Sequence, residues 1–190
     1  MATERIIPNG IPENEQSVLV NVRDSSGREF ESTDDFINVI DDSDANTFAI
    51  FLGAFEFAQT YVTFTDPVDI QSADTINSVT LSVYTGIHKS FQATMRTGLY
   101  DEDGANGELY GNASLTNVPS TATWHSFSNT STNWTIQLIN ELTAWVQVTE
   151  GSATINDIRL DIDYTPATSL AKPIQITSGL IQLTSGKISI

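Results

Sequence analysis

Asp42, Asp44 and Asn46 set side-chain oxygens at every second position of Asp42-Ser43-Asp44-Ala45-Asn46, the spacing with which a calcium loop begins to close on a hard cation. The rest of that pattern fails. Its sixth position is Thr47 where the sharp turn wants Gly, and its twelfth is Gly53 where a bidentate Glu belongs. Asp101 and Asp103, in the acidic run 101–108, also offer oxygens without a complete set. Both loops are open to a structural Ca²⁺ or to plain solvation, and no other cofactor is expected. His88 and His125 are the only histidines, and neither stands in a nucleophile motif. Hydrolysis by paired carboxylates needs a separation that a sequence alone does not supply. No catalytic residue is assigned, and the chain is read as a non-enzyme.

Trp145 is the residue with the most to say about binding. Leu142, Ala144, Val146 and Val148 recur at every second position and mark the inner face of a strand, so Trp145 turns outward with Thr143 and Gln147. An outward indole needs cover. A neighbouring subunit would supply it at an interface, a pyranose ring would supply it by stacking, and the chain's own helix or arm would supply it as plain structure. Trp124 and Trp134 are expected in the core or at a helix end.

The elements around Trp145 organise the chain. Ile158, Leu160, Ile162 and Tyr164 alternate as a second strand that stops at Pro166, and residues 149–152 suit a turn, so the two runs predict a hairpin. Before them, residues 133–142 predict one short helix with Ile136, Ile139 and Leu142 on one face and Thr132 as N-cap. Earlier, Val18, Val20 and Val22 alternate as a short strand. The apolar run 48–55 reads as a buried strand bulged at Gly53, and residues 61–65 as another strand. Val79, Leu81 and Val83, then Phe91, Ala93, Met95, Thr97 and Leu99, read as an antiparallel pair, and residues 124–127 as a further strand. Roughly eight to ten short strands predict an all-β, two-sheet antiparallel sandwich.

Three segments follow. Residues 1–16, with Pro8, Gly10 and Pro12, suit an extended arm; residues 17–166 form the sandwich; residues 167–190 form a β-rich tail. In that tail Ile174-Gln175-Ile176-Thr177-Ser178-Gly179 and Ile181-Gln182-Leu183-Thr184-Ser185-Gly186 are a seven-residue near-repeat. Its Ile174, Ile176, Ile181, Leu183 and Ile188 have little to pack on locally and are expected at an interface, with Trp145.

Charge narrows the partners. Twenty-four acidic against eight basic residues give a net charge of −16, which repels nucleic acid and anionic membrane surfaces. The absence of cysteine removes disulfides and thiolate zinc sites. With no apolar leader at residues 1–8 and no long apolar stretch, a soluble protein made in the cytoplasm is expected.

Taken in order, Met1-Ala2-Thr3-x-Arg5-Ile6-x-Pro8-x-Gly10, Ile40-Asp41-Asp42-Ser43-Asp44, Ile76-Asn77-Ser78-Val79-Thr80-Leu81-Ser82-Val83, Arg96-Thr97-Gly98-Leu99-Tyr100, Trp134-Thr135-x-x-x-Ile139-Asn140-x-Leu142 and Ile158-Arg159-Leu160-x-Ile162-x-Tyr164 resemble a group of tailed-bacteriophage virion proteins. The resemblance spans about residues 1–166, and the C-terminal repeat departs from it. It implies a jelly-roll-like β-sandwich and a virion structural protein of the head-decoration, cement or tail-associated kind. On that reading the chain is a homo-oligomer on the outer surface of the virion, made in the host cytoplasm. Its partners are the phage major capsid protein or other virion proteins; the rival role is a tail-fibre or tail-adaptor module that binds a host glycan or receptor.

Overall fold

The computed structural model describes residues 1–12, 19–30, 32–40, 47–53, 57–89, 92–101 and 109–167. The metal candidates Asp42, Asp44, Asn46 and Asp103, and the tail residues Ile174, Ile176, Ile181, Leu183 and Ile188, lie outside the described residues. The strands are β1 Ala2–Ile6, β2 Pro8–Gly10, β3 Leu19–Val20, β4 Val22–Arg23, β5 Ala49–Leu52, β6 Ala58–Phe64, β7 Thr75–Ile87, β8 Thr94–Tyr100, β9 Leu109–Thr116, β10 Thr123–Asn129, β11 Thr143–Glu150 and β12 Ser152–Thr165. Two short helices, α1 Thr33–Ile40 and α2 Ile136–Asn140, interrupt them. The strands make two six-stranded antiparallel sheets, one ordered β10-β7-β12-β5-β4 with β1 also on β12, the other β2-β6-β11-β8-β9 with β3 also on β6. This is the jelly-roll-like β-sandwich that the strand pattern and the resemblance led us to expect.

Alternation decides which side chains fill the space between the sheets. Val79, Leu81 and Val83 from β7 and Ile158, Leu160 and Ile162 from β12 meet Met95 and Leu99 of β8 and Ala144, Val146 and Val148 of β11 in one buried cluster. The inward faces of these strands match the expectation, but their pairing does not. β7 and β8 lie in opposite sheets, and so do β11 and β12. Neither is the hairpin that sequence proximity suggests, because alternation reports the buried face and is silent about the neighbour. Gly151 carries the chain from β11 to β12, at φ 68. A Cβ there would fall 1.9 Å from the Gln92 carbonyl oxygen, which only glycine avoids.

Other boundaries also move. Residues 2–10 are not an arm: β1 pairs with Leu160–Tyr164 of β12, and β2 with the end of β6, so the N-terminus is built into both sheets. Pro8 is compatible with β2 because that strand is an edge. Glu4 fixes β1 further, since its buried carboxylate accepts from the amides of Val68 (2.6 Å), Asp69 (3.2 Å) and Ile70 (3.2 Å). The strand expected around Val20 and Val22 is split at Asn21, whose φ of 54 passes the chain from β3 in one sheet to β4 in the other. At Gly53 there is no bulge. β5 pairs regularly with β12, and a Cβ on Gly53 would lie 2.5 Å from the carbonyl oxygen of Val148, so glycine permits close approach of the opposite sheet.

The expected helix is α2, capped by Thr135 and not by Thr132. Thr135 has extended backbone angles and its hydroxyl accepts from the Leu138 amide at 3.2 Å. Thr132 belongs to a turn held by Asn129, whose carboxamide oxygen accepts from the amides of Ser131 and Thr132. The same Asn129 donates to the Tyr110 carbonyl on β9, and its own carbonyl accepts the Trp134 indole N–H at 3.2 Å. Trp134 is accordingly buried against Tyr110. The additional helix, α1, buries Phe36, Ile37 and Ile40, with the Ser32 hydroxyl accepting from the Asp35 amide.

Leu160 is fully buried at the middle of β12. Leu160→Ala is expected to cost about 2 to 5 kcal/mol, read as a drop of several degrees in Tm. An unchanged Tm would place the residue on the wrong face.

Candidate functional site

β11 is the middle strand of its sheet, and the alternation that buries Ala144, Val146 and Val148 turns Trp145 outward between Tyr61 of β6 and Gly98 of β8. Trp145 is half-buried. Tyr100 meets its ring edge-on, with centroids 6.3 Å apart at 81°. The indole Nε1–H points at Gln59 Oε1 from 3.5 Å, and Gln147 Nε2 donates to that same oxygen at 3.3 Å. Exposed Arg96 sits opposite Gln147 in register. The chain therefore covers one edge of the ring and its N–H. Tyr61 and Thr143, on the same face, are buried, so the open part runs from Trp145 toward Gln147 and Arg96. A flat aromatic surface rimmed by amides and a guanidinium suits binding, either to a protein surface or to a sugar ring.

A second polar-aromatic cluster covers the outer face of the other sheet, and the sequence reading missed it. Trp124 of β10 lies 5.2 Å from Tyr84 of β7, and the Arg159 guanidinium from β12 stacks 3.5 Å over its ring. Asp161 pairs with Arg5 of β1, its Oδ1 accepting from Nε at 2.7 Å, and approaches Arg159 Nε only to 3.6 Å. The hydrogen bond to Asp161 is the largest influence raising the Arg5 pKa. Beside this pair, Ser82 with Ser126 and Thr80 with Ser128 form a ladder of hydroxyl contacts at 2.7 and 2.6 Å. Trp124 was expected in the core or at a helix end, and it lies at neither. The readable signal was the alternation of Trp124, Ser126 and Ser128 against His125 and Phe127. This face is largely satisfied by its own pairs, which makes it a weaker docking platform than the Trp145 face.

His125 points the other way, into a cleft of about 150 Å³ shared with Met95, Thr97 and Leu115. Its Nε2 is buried and has no hydrogen-bond partner among the described residues. Asp101, the one metal candidate among the described residues, is half-buried. Among the described residues, no three His, Asp or Glu side chains converge as metal ligands would.

No protein-family model and no curated protein sequence matches the chain. In structure it is similar to a carbohydrate-binding module from Cellvibrio mixtus lichenase 5A solved with cellotriose, at TM-score 0.43 and 10% identity over 85% of this chain and 97% of that one. It is also similar to the tomato aspermy virus structure, at TM-score 0.40 and 11% identity over 77% and 91%. A third is a carbohydrate-binding module, TmCBM27, described for specific mannan recognition, at TM-score 0.40 and 10% identity over 86% and 99%.

Burial holds the His125 imidazole below its ordinary pKa of about 6.5, and burial together with Lys89 does the same at His88. A depressed folded pKa means that the unfolded chain takes up the proton first. The stability gained from neutral rings is thus present above pH ~6.5 and lost as pH falls through the folded values. NMR titration of His125 should give a midpoint below 6.5, and Tm should fall over that window by less in His125→Phe than in the parent.

Proposed function

We propose that this chain is a non-enzymatic structural protein of a phage virion, a capsid decoration or cement subunit that binds across capsomers on the outer surface of the head. The observation that carries the binding half of this reading is the half-covered Trp145, held at the middle of an outer sheet face with Tyr100 edge-on and Gln59, Gln147 and Arg96 around it. The ordered sequence resemblance supplies the virion half. A net charge of −16 suits a position outside the shell, away from packaged DNA. The action would be thermodynamic. Interface that is buried only when capsomers are side by side stabilises the assembled state alone, and so shifts the balance against internal pressure.

A specific observation favours one second reading, a tail-fibre or tail-adaptor module that binds a host glycan. Trp145 with Tyr100 gives a ring-stacking surface, and two carboxamides beside it can exchange hydrogen bonds with sugar hydroxyls. Copy number separates the two roles, since a head protein is present in hundreds of copies per virion and a tail module in a few.

Trp145→Ala distinguishes them at the residue level. We expect a folded protein that loses about 1 kcal/mol of its own stability, because Tyr100 and Gln59 cover only part of the ring. Binding to particles lacking this subunit should weaken by more than about 2 kcal/mol, as for a buried interface anchor. Intact particle binding with lost glycan binding selects the tail reading. A large loss of monomer stability removes Trp145 from either role.

A further inference from the structure

Among the described residues, both long uncharged sheet edges lie on one side of the sandwich. β10 ends one sheet and β9 ends the other, and the two strands touch across the mouth of the core. Neither contains a charged residue or a proline; indeed residues 109–140 hold no charged side chain at all in a chain this acidic. The remaining edges among the described residues are short or guarded: β2 begins with Pro8, β3 is two residues long, β4 is two residues long and includes Arg23, and β1 carries Arg5. A long, uncharged edge is a template for a further strand. The cleft lined by Met95, Thr97, Leu115 and His125 opens beside it, with His125 Nε2 buried and without a partner among the described residues.

The chain itself contains a segment of matching chemistry. Of the eight basic residues two, Lys172 and Lys187, lie in residues 168–190, and none of the 24 acidic ones do; the chain up to Ala167 therefore holds six basic and 24 acidic side chains. Within that segment Ile174, Ile176, Ile181, Leu183, Ile188 and Ile190 alternate with Gln, Thr and Ser. Copies of net charge −16 repel one another. They can meet only where acid is missing, and an acid-free, cationic tail facing an uncharged edge satisfies that condition on both partners.

Because the tail's apolar positions are even-numbered at 174 and 176, odd at 181 and 183 and even again at 188 and 190, they form short runs and not one face of a single strand. We propose that one such run within residues 174–190 of one copy adds as a strand to the seven-residue β10 edge of a second copy, laying an apolar side chain over the cleft and a Gln or Thr side chain within reach of His125 Nε2. The backbone would supply affinity and the alternating side chains the register. This deepens the assembly reading and rests only on its homo-oligomeric part. Donor and acceptor are different surfaces, so the contact is head-to-tail and closes into a ring if the rotation permits.

Sedimentation velocity of the full chain over a wide concentration range, combined with hydrogen exchange, tests it. We expect β10 amides to gain protection in step with oligomer formation. Ile176→Asp with Leu183→Asp should weaken association by about tenfold or more while leaving Tm unchanged, since both lie beyond β12. Ser126→Lys, which puts charge on the acceptor edge, should do the same with the tail intact. Association equal to the parent in these variants overturns the proposal. So does β10 protection that is independent of concentration yet lost in the tail variant, because the tail would then be pairing with its own chain. Failure to bind phage particles counts against the virion reading and leaves these solution measurements standing, so the two can fail separately.

Discussion

Burial of one face of β12 is the constraint on which the sandwich depends. Ile155, Ile158, Leu160 and Ile162 are all fully buried on a strand of fourteen residues that pairs with β7 along its length, with β5 at its start and with β1 toward its end. Burying each such side chain is worth about 1.5 to 3 kcal/mol, so a slip of one residue would forfeit several of them together. A register shift between Ile155 and Asp157 changes the phase without losing the stripe: it is why Ile155 and Ile158, three apart, both face inward. The phase change also sets the outer row Asp157, Arg159, Asp161 and Asp163. The Arg159 stack on Trp124 and the Arg5 pair with Asp161 are thus consequences of how the core strand is registered.

What alternation encodes was legible in the sequence, and what it omits was not. The inner faces of β7, β8, β11 and β12 could be read residue by residue, and so could the outward turn of Trp145. Strand partners could not, because a strand packed across the core from its sequence neighbour shows the same period as one hydrogen-bonded to it. The crossing between β11 and β12 left only one local trace, Gly151, which a hairpin turn would also explain. At the N-terminus, Pro8 and Gly10 resemble an arm until β1 and β2 are seen to pair with the sides of β12 and β6 that face away from β7 and β11. Helix α1 was available in principle. Ser32 three residues ahead of Asp35, followed by Phe36, Ile37 and Ile40 at helical spacing, is a capping signal that stands just before the apolar-rich stretch beginning at Phe36.

The Trp145 platform was half legible for a related reason. Parity placed the ring outside; the half-cover it receives depends on Gln59 and Tyr100, which come from strands 86 and 45 residues away in sequence and reach it only because β6 and β8 flank β11. That cover matters to its role. A ring whose N–H is engaged and whose edge is braced is held in one orientation before anything binds, which lowers the entropic cost of docking.

Face and edge are separate resources in this architecture. Trp145 lies on the central strand of its sheet, two strands in from β9, or about 10 Å at the usual strand spacing. β10 ends the opposite sheet, so a strand added there extends that sheet sideways and leaves the Trp145 face uncovered. On the proposed reading, one copy would engage its neighbour through the edge and a shell protein or a glycan through the face at the same time. Contacts that do not compete reinforce one another by raising local concentration, so a weak face contact repeated around a ring of copies binds more tightly than any one copy alone. The acidic charge elsewhere has a matching effect. If copies associate as proposed, it would make other approaches between them repulsive and favour the uncharged side, so that specificity would come as much from what is repelled as from what is attracted.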